Sequence, residues 1–574
     1  MTSKNSVNYI SNDKNSINYG INGHLQFDWS HDIKEKILQF TFQTVRSDSF
    51  QMKRLQNKLI EIIESLNYIN KEEKIAYATL LYKFIAHTRD IIDGKGECQL
   101  TYMMIFTWSL FHPDLSLYMI EHIILNKNCH SLGSWKDLKY LCNYCKEQSI
   151  TYPKESKLII DYCIKLINEQ LVEDELKYKN GENISLLAKW IPRENKRFGF
   201  LFKELAISYY PTYFSLTVTN PMAVKKAYTN YRKVVSKLNK YLDTVQIKQC
   251  DKNWTDINFN NVTSITLSKQ KLAFLNLNKD NTERCSLIDR RTCKKNITEF
   301  ISEKLSSKKE LNGKCISMDY FTKEALRLIN SSNIDQQRID ILNSQWKSNS
   351  KNNCMLNNII PMVDVSASMD GVPKNTAISL GIRIAEKSSI GKRLMTFESV
   401  PKWINLDDCK EYIDMVKKIE NTSCGWETNF YAALELILNA IQETKLPYNE
   451  VKNLVLVILS DMQIDQADNS FDKCMIDIIK DKFNQIGNLL YNKPLKVPHI
   501  ILWNLRSTQG FPCLNLHNNV SMISGFNPGL INNFYNLGVD GFSDYNPWSR
   551  LIKSLKNKKY DLLENKCHIY FNKI

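Results

Sequence analysis

The stretch that decides the fold is "NNIIPMVDVSASMDGVPKNTAISLGIRIAEK", residues 357–387. An apolar run ends in Asp364, Ser366 and Ser368 follow at alternate positions, and apolar residues then recur at three- and four-residue spacing. That order predicts a buried strand, a polar turn and a helix. The alternation continues downstream, with "RLMTFES" as a strand and "YAALELILNAI" as a helix. "NLVLVILSD" follows as a strand apolar on both faces, then "CMIDIIKDKFNQI" as a helix and "HIILWNL" as a strand. Strands alternating with helices predict a parallel, Rossmann-like α/β sheet covered on both sides.

Such sheets bind ligands just beyond the carboxyl ends of their strands. Asp364 ends the first strand and Asp461 ends "NLVLVILSD". Between them, "CGWETNFYAALELI" puts Thr428 immediately before a helix. Alternate residues of an extended segment point to one side, so Asp364, Ser366 and Ser368 can converge on one point. With Thr428 and Asp461 they form an all-oxygen set, which suits a hard cation such as Mg²⁺ or Mn²⁺. Hydroxyl ligands add no charge, so a cation there stays incompletely neutralised and can accept one more anionic ligand.

Outward from this segment the pattern changes. The repeat "KNSVNY" at 4–9 and "KNSINY" at 14–19 is polar and Asn-rich, so residues 1–25 read as a flexible tail. From Trp29 the periodicity is helical, in "HDIKEKILQFTFQTV", "QMKRLQNKLIEIIESL", "KEEKIAYATLLYKFIAHTRDI", "CQLTYMMIFTWSLF" and "LSLYMIEHIILNK". The short breakers "DGKGE", "HPD" and "GSW" separate these runs. Consecutive helices with short connections predict an all-helical, HEAT-like solenoid over residues 26–346, curved into a ring or horseshoe. Residues 251–320 fit that pattern least. "KSNSKNNC" lies in an expected linker, 347–356, and the α/β domain with a C-terminal extension fills 357–574.

A chain of 574 residues is too long for one compact core. Its net charge of +15 points toward anionic partners such as nucleic acid, although Lys-rich composition produces basic proteins without them. Two segments interleave basic and aromatic residues. "KWIPRENKRFG" carries Lys189, Trp190, Arg193, Lys196 and Arg197; "YTNYRKVVSKLNK" carries Tyr231, Arg232, Lys233 and Lys237. Cations that neutralise phosphates beside rings that stack on bases suit single-stranded RNA, while a solvated helix face is the plainer alternative.

Other motifs carry less. "DGKGE" lacks the spacing of a phosphate-binding loop and has no preceding strand, so it reads as a helix C-cap turn. Cys142 and Cys145 have C-x-x-C spacing with Cys129 and His130 nearby, but no second pair completes a zinc site. Buried thiols on a helix are the expectation. The remaining cysteines, 15 in all, are scattered as in a reducing compartment. No apolar run reaches the roughly 18 residues of a membrane span, and the first residues hold no signal-peptide core. A cytoplasmic, monomeric protein is expected. No G-x-S-x-G or H-E-x-x-H appears, and no catalysis is expected.

On these residues the α/β segment resembles the metal-ion-dependent adhesion site of von Willebrand factor A domains. There D-x-S-x-S, a Thr before a helix and a later Asp share one divalent ion. The resemblance implies that Ser366, Ser368 and Thr428 touch the metal directly, with Asp364 and Asp461 acting through waters and hydrogen bonds. A helical solenoid followed by an A domain also resembles the TROVE/Ro ribonucleoprotein architecture, to which "YRKVVSKLNKYL" is similar. "RDIIDGKGE", "GSWKDL", "KWIPRENKRFG" and "YNPWSRLIKSLKNKKYD" look closer still to an uncharacterised Ro-like family. That family, the 2828-type domain of unknown function, occurs in eukaryotes, bacteria and large DNA viruses, so host cytoplasm is implied if the chain is viral. The expectation is a non-catalytic scaffold that binds structured or single-stranded RNA on its solenoid and an acidic ligand at the metal. The alternatives are a protein adaptor without nucleic acid and, as an outsider, a metal-dependent hydrolase.

Overall fold

The computed structural model describes residues 17–20, 23, 25–125, 131–213, 221–331, 335–397, 400–422, 430–463, 474–534 and 546–573. The chain divides into two compact units: Met1–Leu100 with Glu310–Asn572, and Thr101–Lys309 with the last two residues.

The first unit is built on a sheet. After a small antiparallel pair, β1 (Ile17–Tyr19) and β2 (Leu25–Phe27), the main strands are β3 (Ile359–Asp364), β4 (Arg393–Phe397) and β5 (Lys402–Asn405). They continue with β6 (Val455–Ser460), β7 (His499–Asn504) and β8 (Val520–Ser524). Their order is β5-β4-β3-β6-β7-β8, parallel throughout except for the antiparallel edge pair β4 and β5. Every residue of β3, β6 and β7 is buried, so both faces of these strands are covered. Strand order reverses between β3 and β6, the position at which open α/β sheets bind ligands beyond the carboxyl ends of their strands.

The helix Val372–Lys387 packs on β3, β4 and β6. Gly381 makes this approach possible, because a Cβ there would lie 2.4 Å from Val363 Cγ2. Val363, Leu459, Ala377, Leu380 and Trp503 belong to the resulting core. On the same unit, the Arg383 guanidinium lies 3.9 Å from the centre of the Trp346 ring and donates to Asn349 and Asn353 at 3.1 and 2.9 Å. Residues 347–350 therefore belong to the helix Gln336–Ser350, and Asn353 donates onward to the Pro528 carbonyl at 2.8 Å. The segment expected as a linker is part of the packed unit.

The first hundred residues also belong here rather than with a continuous solenoid. Phe27 and Phe511 exchange backbone hydrogen bonds, and Asn504 donates to the Phe42 carbonyl at 3.0 Å. Lys559 pairs with Asp93 at 2.6 Å, and Lys83 with Glu564 at 2.5 Å. "DGKGE" is a C-cap turn, closed by Lys95 N–H donating to the His87 carbonyl at 3.0 Å and Gly96 N–H to the Asp90 carbonyl at 3.0 Å. Gly96 takes φ +71°, a region that disfavours side chains. The buried Lys95 ammonium then spans the unit, donating to Thr41 and Thr44 carbonyls at 2.8 Å and to Ser524 Oγ at 2.6 Å.

The second unit is helical. Trp135–Gln148 packs on Pro153–Lys179, which in turn meets Gly199–Tyr209 and Pro221–Tyr241. Cys142, Cys145 and Cys163 are buried between these helices, as expected of core thiols; Cys129 and His130 lie outside the described residues. Residues 251–309 hold the helices Ser264–Phe274 and Ile288–Ser306. No described helix is long and apolar enough to cross a membrane.

Candidate metal centre

Asp364 ends β3 and Asp461 directly follows β6, at the carboxyl edge of the sheet. Register pairs Val363 with Leu459, which sets Asp364 beside Ser460. The fully buried Asp364 carboxylate accepts from Ser366 N–H at 3.0 Å and from Ser460 Oγ at 2.6 Å. Ser366 and Ser368 bring their hydroxyls within 3.1 Å of each other. Asp461 is also buried, and its carboxylate accepts from Gln463 N–H at 3.1 Å and from Ser368. Four of the five expected ligands thus meet at one edge of the sheet. Thr428 lies outside the described residues, just before the helix Phe430–Thr444.

The electrostatics of this corner are out of balance. Burial holds both carboxyls above the usual carboxylate range, and the charge of Asp461 pushes Asp364 up further. Neither carboxylate is in an ion pair among the described residues. The nearest help is Arg506, an exposed side chain that donates to the Ser368 carbonyl and whose charge favours ionised Asp461. Two buried acids without a full counter-charge are costly unless a cation joins them. Among the described residues no three His, Cys, Asp or Glu side chains converge, so a cation here would depend on the serine hydroxyls. The donor set is all oxygen, which fits Mg²⁺ or Mn²⁺. Ser460 and Arg506 were not singled out from the sequence. Ser460 had a signal, since it adjoins Asp461 at the end of a strand; Arg506 had none.

The basic segments of the helical unit come together in part. Arg232 pairs with Glu194 at 2.7 Å, which joins "YTNYRK" to "KWIPREN", and further along the same helix Asn239 donates to the Ala188 carbonyl at 2.8 Å. Arg193, Lys196, Arg197, Lys233 and Lys237 are exposed, and Lys189 is half-buried. Lys237 lies 4.3 Å from the centre of the Tyr178 ring. Tyr231 corrects the sequence reading: it is 0% exposed, donates to Asn168 at 3.2 Å, and packs against Phe202 and Tyr209. It offers no ring face to a base.

Comparison with known proteins gives two family matches, and the break between them falls within the sheet unit. Residues 147–350 match the family model of a domain of unknown function, DUF2828, and residues 358–561 match that of another, DUF7788. The chain is 27% identical over 515 residues to "Uncharacterized protein L728" of Acanthamoeba polyphaga mimivirus, a match covering 87% of this chain and 82% of the relative. Residues 147–350 are thus similar to the uncharacterised DUF2828 family, and the chain over most of its length to an uncharacterised giant-virus protein.

Proposed function

We propose that this chain is a non-catalytic, two-part binding protein. In its sheet unit, Asp364, Ser366, Ser368 and Asp461, with Thr428, hold Mg²⁺ or Mn²⁺, and the ion captures an acidic group of a partner. In its helical unit, the exposed cations of the two basic segments hold RNA. The observation that carries the reading is the pair of buried, under-compensated carboxylates beside two adjacent hydroxyls at the strand-order reversal. The likeness of that arrangement to a von Willebrand factor A site, and of the two-part order to the Ro architecture, supports it further. We place the protein in the cytoplasm as a monomer, in the host's cytoplasm if it is viral like its mimivirus relative.

A protein adaptor without RNA is the second reading. It is favoured by the many cations of the helical unit that already pair with carboxylates, such as Lys157 with Asp161 and Lys177 with Glu173. Pull-downs from cell extract separate the two. Ser366→Ala with Ser368→Ala should release protein partners and retain RNA, and Arg193→Glu, Lys196→Glu and Arg197→Glu together should do the reverse. Loss of RNA from the serine variant would overturn this division of labour.

A further inference from the structure

In the helical unit, three lysines crowd one indole. Lys136 and Lys139, on the helix Trp135–Gln148, place their ammonium groups 5.6 and 5.3 Å from the centre of the Trp190 ring. Lys189 lies 5.7 Å from it. Lys139 also lies 5.3 Å from the ring centre of Tyr140 and 5.2 Å from that of Phe198. Those two rings meet edge to face at 5.2 Å, and Arg197 reaches over Phe198 at 5.4 Å. Lys136 is exposed, while Lys139, Lys189, Trp190, Tyr140 and Phe198 are half-buried, so the cluster opens to solvent.

No carboxylate balances the three lysines among the described ion pairs. The neighbouring acids are committed elsewhere: Asp137 caps its own helix and accepts from Tyr102 at 2.6 Å, and Glu194 holds Arg232. Desolvation lowers the Lys139 and Lys189 ammonium groups below the usual lysine range, and the charge of Lys136 lowers Lys139 further. Crowded cations that burial and one another already disfavour are relieved by a polyanion, and a large flat ring among them adds a stacking surface. An acidic peptide would satisfy the charge but leave the ring unused.

We infer that Trp190, ringed by Lys136, Lys139 and Lys189, is a nucleotide-binding site for single-stranded RNA, with a base stacked on the indole and the flanking phosphates on the lysines. This rests on the RNA reading above and adds the helix Trp135–Gln148, which neither basic segment includes.

The test uses the full-length chain and a labelled oligouridylate, with affinity measured against salt. Trp190→Leu should weaken binding about tenfold, the order expected for one stacked base, and Trp190→Phe should retain most of it. Lys136→Gln with Lys139→Gln should flatten the logarithmic salt slope by about 1.4, from two phosphate contacts on a single strand. Wild-type binding in both the Leu and the double-Gln variants would overturn this site and leave RNA on another surface. Loss in the lysine pair but not in Trp190→Leu would make it a plain anion site and overturn the nucleotide assignment. No binding by the wild type at low salt would overturn the RNA reading itself.

Discussion

Lys95 offers the sharpest test of how the first hundred residues are tied to the sheet. Its ammonium is wholly buried, bonded to Thr41 and Thr44 carbonyls and Ser524 Oγ, and 4.9 Å from the Phe84 ring centre. The two carbonyls close the C-terminal end of the helix Ile33–Gln43, where a positive charge is favoured. Burial nonetheless pushes the group down from 10.5 to about 7, against a smaller upward pull from Glu97. The unfolded chain keeps its proton up to the ordinary lysine range, whereas the folded chain releases it near neutrality. The unfolded state therefore binds more protons throughout that window, and this group makes stability rise with pH by about 1.4 kcal/mol per unit. Lys95→Met removes the slope along with the hydrogen bonds. Near pH 7 it should destabilise the unit by about 2 kcal/mol, because a buried carbonyl loses its donor while Thr41 O keeps Ser524 Oγ at 2.9 Å. By about pH 9 the gap should widen by roughly 2 kcal/mol. Urea unfolding of both proteins, followed by tryptophan fluorescence at several pH values, reads this directly. A gap that stays flat with pH would refute the burial of the charge, and a variant more stable than wild type would refute the cross-link.

Other perturbations test separate parts of the structure. Gly381→Ala should cost about 1–3 kcal/mol in urea unfolding, since the new methyl meets Val363 Cγ2 and one of the two must move. Arg506→Ala should raise Mn²⁺ affinity up to about fivefold in calorimetry at low salt, with the gain fading as salt rises, because it removes an exposed cation beside Asp461. Tyr231→Phe should cost about 1 kcal/mol through the lost bond to Asn168 and leave oligouridylate affinity unchanged. A drop in that affinity would restore Tyr231 to the RNA surface.

The ends of β3 and β6 are legible in the sequence because apolar residues run unbroken until a polar group must leave the sheet. Asp364 and Ser460 with Asp461 mark those exits, and parallel pairing then brings them together. The place of the first hundred residues is not legible. The apolar stripe of Ile33–Gln43 shows that a face is covered without showing what covers it, and the hydrogen bonds that fix the helix join the Phe42 carbonyl, Gln43 and Glu35 to Asn504, Gly510 and Asn515, far along the chain. Lys95 shows the same limit, since a lysine between two glycines looks solvated until Ser524 and the helix end close over it. Tyr231 fails for a related reason. An aromatic among lysines reads alike whether its ring meets water or, as here, Phe202 and Tyr209.

The most direct test of the metal centre is a melting experiment with and without Mg²⁺ or Mn²⁺, on the wild type and on Asp364→Asn. A ligand that binds only the folded state stabilises it by about 2.7 kcal/mol at a hundredfold excess over its dissociation constant. The wild type should therefore melt several degrees higher with the ion. Asp364→Asn should fold, should melt no lower than the metal-free wild type because one of two crowded buried charges is gone, and should show no response to the ion. An equal rise in both proteins, or none in the wild type at millimolar ion, would contradict a cation held between Asp364 and Asp461.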